Sequence, residues 1–202
     1  EAQAAMTEAI TELRELGINV SVPFALGDSA LYALWNGDPG AAEATIRITM
    51  AECEAFGSAD AADYYMTGIL CDSLNRQGRA DEVIQLLKAR EAIDHVVDPR
   101  SPVFAAIAEA EARLDLGEID EARRVFEGID PALPVMESPT GRSWQLLRMA
   151  RLAQRLGDLT TAERLAEESA STASIKGFAV AAKLANQLRS ELSAASVDRA
   201  RH

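Results

Sequence analysis

The chain has 202 residues, which is room for one domain or one repeat array and little more. Hydrophobic residues at 48% and charged residues at 26% can build a core, and no apolar run approaches the roughly eighteen residues of a membrane helix. A net charge of -12 with no local basic patch repels a phosphate backbone, so direct nucleic-acid binding is not expected.

The predicted elements begin with a helix near 2–16. It follows no turn glycine and runs into Gly17, so it reads as the second helix of a preceding unit, with Met6, Ile10 and Leu13 as its packing face. Further helices are predicted near 24–36, 39–56, 60–77, 80–94, 101–116, 119–128, 140–156, 159–174 and 177–194. Ala, Leu, Glu, Gln and Arg dominate these stretches, and all are good helix formers. Asp38-Pro39 is a clear start, an N-cap aspartate followed by proline at the first helical position. The last helix is expected to cap the array, its inner face made by Phe178, Leu184 and Leu188.

A repeat orders these helices. Gly37, Gly78, Gly117 and Gly157 are separated by 41, 39 and 40 residues, and Gly17, Gly57 and Gly177 form a second ladder at 40 and 120. Each glycine supplies the left-handed residue that closes one helix, and a polar residue opens the next. Small residues recur seven positions before the turn (Ala30, Cys71, Ala110, Ala150) and five after it (Ala42, Val83, Ala122, Ala162), where two helix backbones can approach closely. An aromatic recurs thirteen before it: Phe24, Tyr65, Phe104 and Trp144. The expected fold is all-α, a right-handed superhelical solenoid of antiparallel helix pairs. Its expected organisation is a single repeat domain over 1–202. Residues 1–17 are a remnant helix, 18–57, 58–97, 98–137 and 138–176 are the units, and 177–202 are the capping helix and tail.

Catalytic chemistry is not expected. No phosphate loop, dinucleotide fingerprint, zinc-binding HExxH or nucleophile elbow occurs. His95 beside Asp94 and Asp98 reads as a solvated helix end rather than a metal site. Ser73 and Ser143 have no histidine near them in sequence, and no cofactor is implied. Cys53 and Cys71 form neither a disulfide framework nor a metal spacing; they read as buried thiols of a cytoplasmic protein. A start at Glu1 with no signal peptide suggests a piece of a longer protein. The mixed charges at Asp120-Glu121 with Arg123-Arg124, and at Glu163-Arg164 with Glu167-Glu168, read as solvated faces with i,i+3 and i,i+4 pairing. Arg148, Arg151 and Arg155 run along one helix, either as a groove for an anion or as a face neutralising an acidic neighbour.

The pattern of small residue, glycine, small residue and aromatic resembles the tetratricopeptide repeat, with a period near forty rather than thirty-four and without its closing proline. The longer unit is similar to the superhelical sensor region of bacterial maltose-regulator-type ATPases that end in a LuxR-type DNA-binding domain, and of related cyclase-ATPase regulators. The likeness is carried by Leu74-Asn75-Arg76-Gln77-Gly78-Arg79, by Leu114 to Glu127, and by Trp144 with Leu156-Gly157-Asp158. The resemblance implies a non-catalytic interaction or sensing module that binds a peptide segment or small effector on a concave face lined by first helices. A purely structural spacer or oligomerisation scaffold is the alternative. Partners would then be another protein or flanking domains of the same chain. The tetratricopeptide register places Phe24, Leu31, Leu34, Trp35, Tyr65, Asp72, Asn75, Arg76, Phe104, Glu111, Leu114, Asp115, Trp144, Arg151, Gln154 and Arg155 on that face. The residues carried forward as binding candidates are Trp35, Tyr65, Asp72, Asn75, Arg76, Glu111, Asp115, Trp144, Arg151 and Arg155.

Overall fold

The computed structural model describes residues 2–55, 59–91, 101–129, 139–175 and 177–200. Its elements are α1 (Ala2–Glu15), α2 (Val22–Trp35), α3 (Pro39–Ala55), α4 (Ala59–Arg76), α5 (Ala80–Glu91), α6 (Ser101–Asp115), α7 (Ile119–Glu127), α8 (Pro139–Arg155), α9 (Leu159–Ile175) and α10 (Ala179–Ala200). Among the described residues the structure is helical with no strand, and each expected helix is found with its ends mostly within two residues. Two departures are a 3-10 turn at Asn19–Ser21 that leads into α2, and the extension of α10 to Ala200. Gly57 and the His95 segment with Asp94 and Asp98 lie outside the described residues, as does His202.

The glycine ladder acts as inferred. Gly17, Gly37, Gly78, Gly117, Gly157 and Gly177 all have φ between 68° and 83°, a region that costs an L side chain roughly 1–2 kcal/mol. At Gly37 the consequence is visible in the backbone. Its N–H donates to Leu34 O at 3.1 Å, and the Asp38 N–H reaches back to Ala33 O at 2.9 Å. These bonds satisfy carbonyls that the end of α2 would otherwise leave open. Gly157 and Asp158 repeat both bonds, to Gln154 O and Ala153 O. Aspartates then open the following helices: Asp38 Oδ1 accepts from the Ala41 N–H at 2.9 Å, and Asp158 Oδ1 from the Thr161 N–H at 3.0 Å. The hydroxyl and N–H of Thr161 hold the Asp158 carboxyl below its ordinary range.

The chain divides into two compact units, Glu1–Leu116 and Gly117–His202. In the first, α1 to α6 surround a core that includes Leu31, Leu34, Ile46, Met66, Ile69, Leu74 and Val83. In the second, α8 packs on α9 and α10, burying Leu147, Leu152, Leu165, Leu188 and Leu192. Full burial of one such side chain stabilises by about 1.5–3 kcal/mol. All eight residues of the two small-residue columns are buried. One close approach is sharper than the sequence suggested. A Cβ on Gly68 of α4 would lie 2.6 Å from the Phe104 Cβ, so α6 seats its aromatic directly on the α4 backbone. Ile10 of α1 is buried and Met6 and Leu13 are half-buried, with α1 packed on α2.

Candidate recognition surface

In the first unit the C-terminal ends of α2, α4 and α6 come together, and with them most of the candidate side chains. Asp72 and Arg76 sit one turn apart on α4. The Arg76 Nε donates to Asp72 Oδ1 at 2.8 Å, and a second nitrogen donates to Leu34 O at 3.3 Å. This guanidinium therefore bridges its own helix to the last carbonyls of α2, where a cation is favoured by the helix dipole. Asn75 performs the same service toward α6, its Nδ2 donating to Ala108 O at 2.8 Å and to Glu111 Oε2 at 3.4 Å. The Asn75 Oδ1 is buried and accepts no hydrogen bond among the described residues.

Exposure sorts the set further. Asp72 is buried and Arg76 is mostly covered, so this pair works between helices. Trp35, Glu111 and Leu114 are half-buried and Asp115 is exposed, which leaves them the open edge of this surface. Tyr32 lies edge-on to Trp35, with ring centroids 5.1 Å apart and planes at 87°, which fixes the indole. Leu34 is fully buried, and Phe24 is 39% exposed. Tyr65 lies on α4 with its side chain outside those described.

In the second unit α8 carries the remaining candidates, and they divide. Trp144 is 2% exposed and packs against Phe178, with centroids 6.5 Å apart, so its ring is core between α8 and α10. Phe104, 7% exposed on Gly68, is core in the same way. Arg148 is buried and donates to Gln145 Oε1 at 3.2 Å, which separates it from the exposed Arg151 and Arg155. Of the arginine stripe, two side chains are thus exposed, not three.

A polar network absent from the candidate list ties turns together. Glu43 of α3 accepts from Arg47 Nε at 2.8 Å, Gln77 Nε2 at 2.8 Å and Arg79 at 2.7 Å, and Arg79 also grips Glu82. Burial opposes ionisation of Glu43, but the hydrogen bonds from Gln77, Arg47 and Arg79 prevail and lower its pKa to about 2. Second helices of the second unit use a related device: Arg123 donates to Leu156 O at 2.9 Å beside the Asp158 cap, whose carboxylate it also helps to stabilise. Glu43 and Arg123 each stand six residues after a turn glycine; Arg79 and Asp158 each stand one after the next. Opposite charges at that offset, with the signs exchanged, were a legible signal in the sequence. Arg124 pairs with Glu121, three residues away, as its spacing implied.

No catalytic or metal arrangement is visible among the described residues. Ser73 spends its hydroxyl on Pro39 O, and the buried Ser143 offers its carbonyl to Ser169 at 2.7 Å. No group of three metal-ligating side chains occurs among them, and no described helix is long and apolar enough to cross a membrane. Cys53 and Cys71 are free and buried, and burial together with the Glu52 charge raises the Cys53 thiol.

The matched helices can now be placed. A tetratricopeptide-repeat model matches residues 103–127 and 143–168. These segments run along α6 and α7 and from α8 into α9, with Gly117 and Gly157 at their turns. The chain thus carries tetratricopeptide-like helical repeats in an all-α fold. Repeats of this kind generally mediate protein–protein interaction. No curated protein and no solved structure matches the chain.

Proposed function

We propose that the chain is a non-catalytic binding module whose first-helix surface receives a peptide segment or a small polar effector. The observation that carries this reading is the placement of the half-buried Trp35 at the end of α2, and of Glu111, Leu114 and the exposed Asp115 at the end of α6, on the two helices that both pack on α4. The indole supplies contact area and the two carboxylates fix a cationic or N–H-rich segment. On α8 the exposed Arg151 offers a guanidinium fork to a carboxylate or phosphate of a ligand. The forty-residue period supports a place in the sensor region of a cytoplasmic bacterial multidomain transcriptional or signalling regulator. Its flanking domains, or a protein partner, would then read the bound state. The net charge of -12 argues against nucleic acid as the ligand.

A peptide library and a thermal-shift screen of small anions and amines supply the ligand, and calorimetry with variants tests the surface. Glu111→Lys, Asp115→Lys and Arg151→Ala should each be compared with wild type. Loss of affinity of several-fold in at least one, with normal melting, supports the reading. Affinity lost instead on changing Arg47 or Arg124, which face outward from second helices, would refute it. One observation favours the spacer reading: Asp72, Asn75 and Arg76 spend their polar atoms holding helices together. A complete absence of ligands in both screens would decide for the spacer.

A further inference from the structure

Trp35 is the last residue of α2, and a helix end is where a backbone opens first. Leu34 just before it is fully buried, Trp35 is half-buried, and Asn36 and Gly37 beyond it are exposed. Order therefore has to be carried one residue past the core if the indole is to keep a fixed place. The Leu34 carbonyl and the Trp35 Cα belong to one planar peptide unit. A group that holds this carbonyl holds the root of the indole.

Two donors meet at that oxygen. The Gly37 N–H reaches it at 3.1 Å from within the turn, and the Arg76 guanidinium reaches it at 3.3 Å from α4. Arg76 is itself aimed. Its Nε donates to Asp72 Oδ1 at 2.8 Å, one turn earlier, and the Asp72 side chain is only 5% exposed. A guanidinium is planar, so fixing Nε on the carboxylate sets the direction in which its other nitrogens point. The neighbouring Asn75 holds α4 to α6, donating to Ala108 O at 2.8 Å and to Glu111 Oε2 at 3.4 Å. Adjacent side chains of α4 thus reach to different helices, and the Arg76 arm ends on the residue before Trp35.

We infer that Arg76, aimed by Asp72, is a positioning residue that fixes Trp35 at the edge of the first-helix surface. The two charged side chains present the ring instead of contacting the ligand. Tyr32, edge-on with its centroid 5.1 Å away, steadies the ring from within α2. A ring already held in place loses little freedom when a ligand packs on it, and affinity gains accordingly. The use of Trp35 in binding rests on the reading proposed above; its positioning does not.

The test uses the 202-residue chain labelled with fluorotryptophan, which gives one fluorine resonance for each of two tryptophans, assigned with Trp35→Phe. Arg76→Met alone leaves the buried Asp72 carboxylate without its guanidinium, so the working variant joins it to Asp72→Asn. In that variant the Trp35 resonance should move toward its position in the urea-unfolded chain. A soluble gadolinium chelate should broaden it at least twice as much as in wild type. Trp144, 2% exposed in the second unit, should keep its resonance. Asn75→Leu removes the arm toward α6 and should leave the Trp35 resonance in place, even where it lowers the melting temperature. A Trp35 resonance unmoved in the double variant, or moved as far by Asn75→Leu, overturns the inference. So does a shift that Trp144 shares, which marks general loosening. No ligand enters this measurement, so a peptide library without binders counts against the recognition reading alone.

Discussion

Replacing Glu43 by Gln keeps the outline of the side chain and removes the charge on which Arg47, Gln77 and Arg79 converge. The folded-state pKa of about 2 lies below the ordinary 4.5, so this carboxylate contributes stability that is fully present above about pH 5. That contribution fades as the pH falls through 4.5 toward 2, because protonation then costs the folded state its network. The difference between the two values corresponds to about 3 kcal/mol at 1.36 kcal/mol for each tenfold. The Arg47 and Arg79 side chains remain 51% and 34% exposed, so solvent screening reduces this to about 1–2 kcal/mol. For a chain of this size the loss lowers the melting temperature by about 3–6 °C at pH 7. Thermal and urea unfolding of wild type and Glu43→Gln, followed by circular dichroism at pH 7, 5, 3.5 and 2.5, measures it directly. The gap should be widest at pH 7 and 5, shrink to a little over half by 3.5 and fall to about a quarter at 2.5. A gap that is the same at every pH, or absent at pH 7 in low salt, refutes the argument.

Gly68→Ala should destabilise the first unit by about 1–3 kcal/mol, because its Cβ meets the Phe104 Cβ at 2.6 Å. In a double-mutant cycle Phe104→Ala should relieve part of that cost, and simple additivity would count against the contact. Asp38→Ala and Asp158→Ala should each cost about 1 kcal/mol in denaturant unfolding through loss of a helix cap. The matching Asn variants should cost less, since Asn caps nearly as well. Gly157→Ala should cost about 1–2 kcal/mol from backbone strain alone, since no atom lies within 4 Å of the added methyl. Cys53 and Cys71 should resist a thiol reagent in the native state and react at once in denaturant; fast native labelling of either would contradict their burial.

The turns were legible because the left-handed conformation is a property of one residue type, and Gly37 or Gly157 announces it wherever it stands. The small-residue columns were legible for a similar reason, since two backbones cannot approach where a large side chain intervenes. Side-chain partnerships were much harder to read. Asp72 and Arg76 were read as separate binding candidates, although a spacing of four on one helix allows their ion pair; the Leu34 carbonyl that completes the bridge has no side-chain signature. Asn75 chose a backbone carbonyl of α6 for the same hidden reason. The aromatic column was double-edged: Trp144 and Phe104 look like contact surface in a register that assigns them to an inner face. Neighbouring helices close over them instead, Gly68 making the room for Phe104. Glu43 escaped notice because its partner Arg79 is 36 residues away and the sign of the pair is reversed in the corresponding Arg123 and Asp158.

The bonds between helices also have a bearing on synthesis. The longest of those described, from Arg76 to the Leu34 carbonyl, spans 42 residues, and the others join positions 26 to 38 apart. Closing loops of that length costs little more entropy than closing one half as long. A ribosome adding about 5–20 residues per second completes such a span in about 2–8 seconds. Each new first helix therefore meets its acceptors soon after leaving the exit tunnel, with no wait for the distant end of the chain. Ribosome-bound intermediates stalled far enough beyond residue 116 for α6 to have cleared the exit tunnel should already protect Leu34, Leu74 and Ile107 from exchange and proteolysis. Folding from front to back, one helix pair at a time, is the kinetic corollary of a chain whose contacts stay close to home.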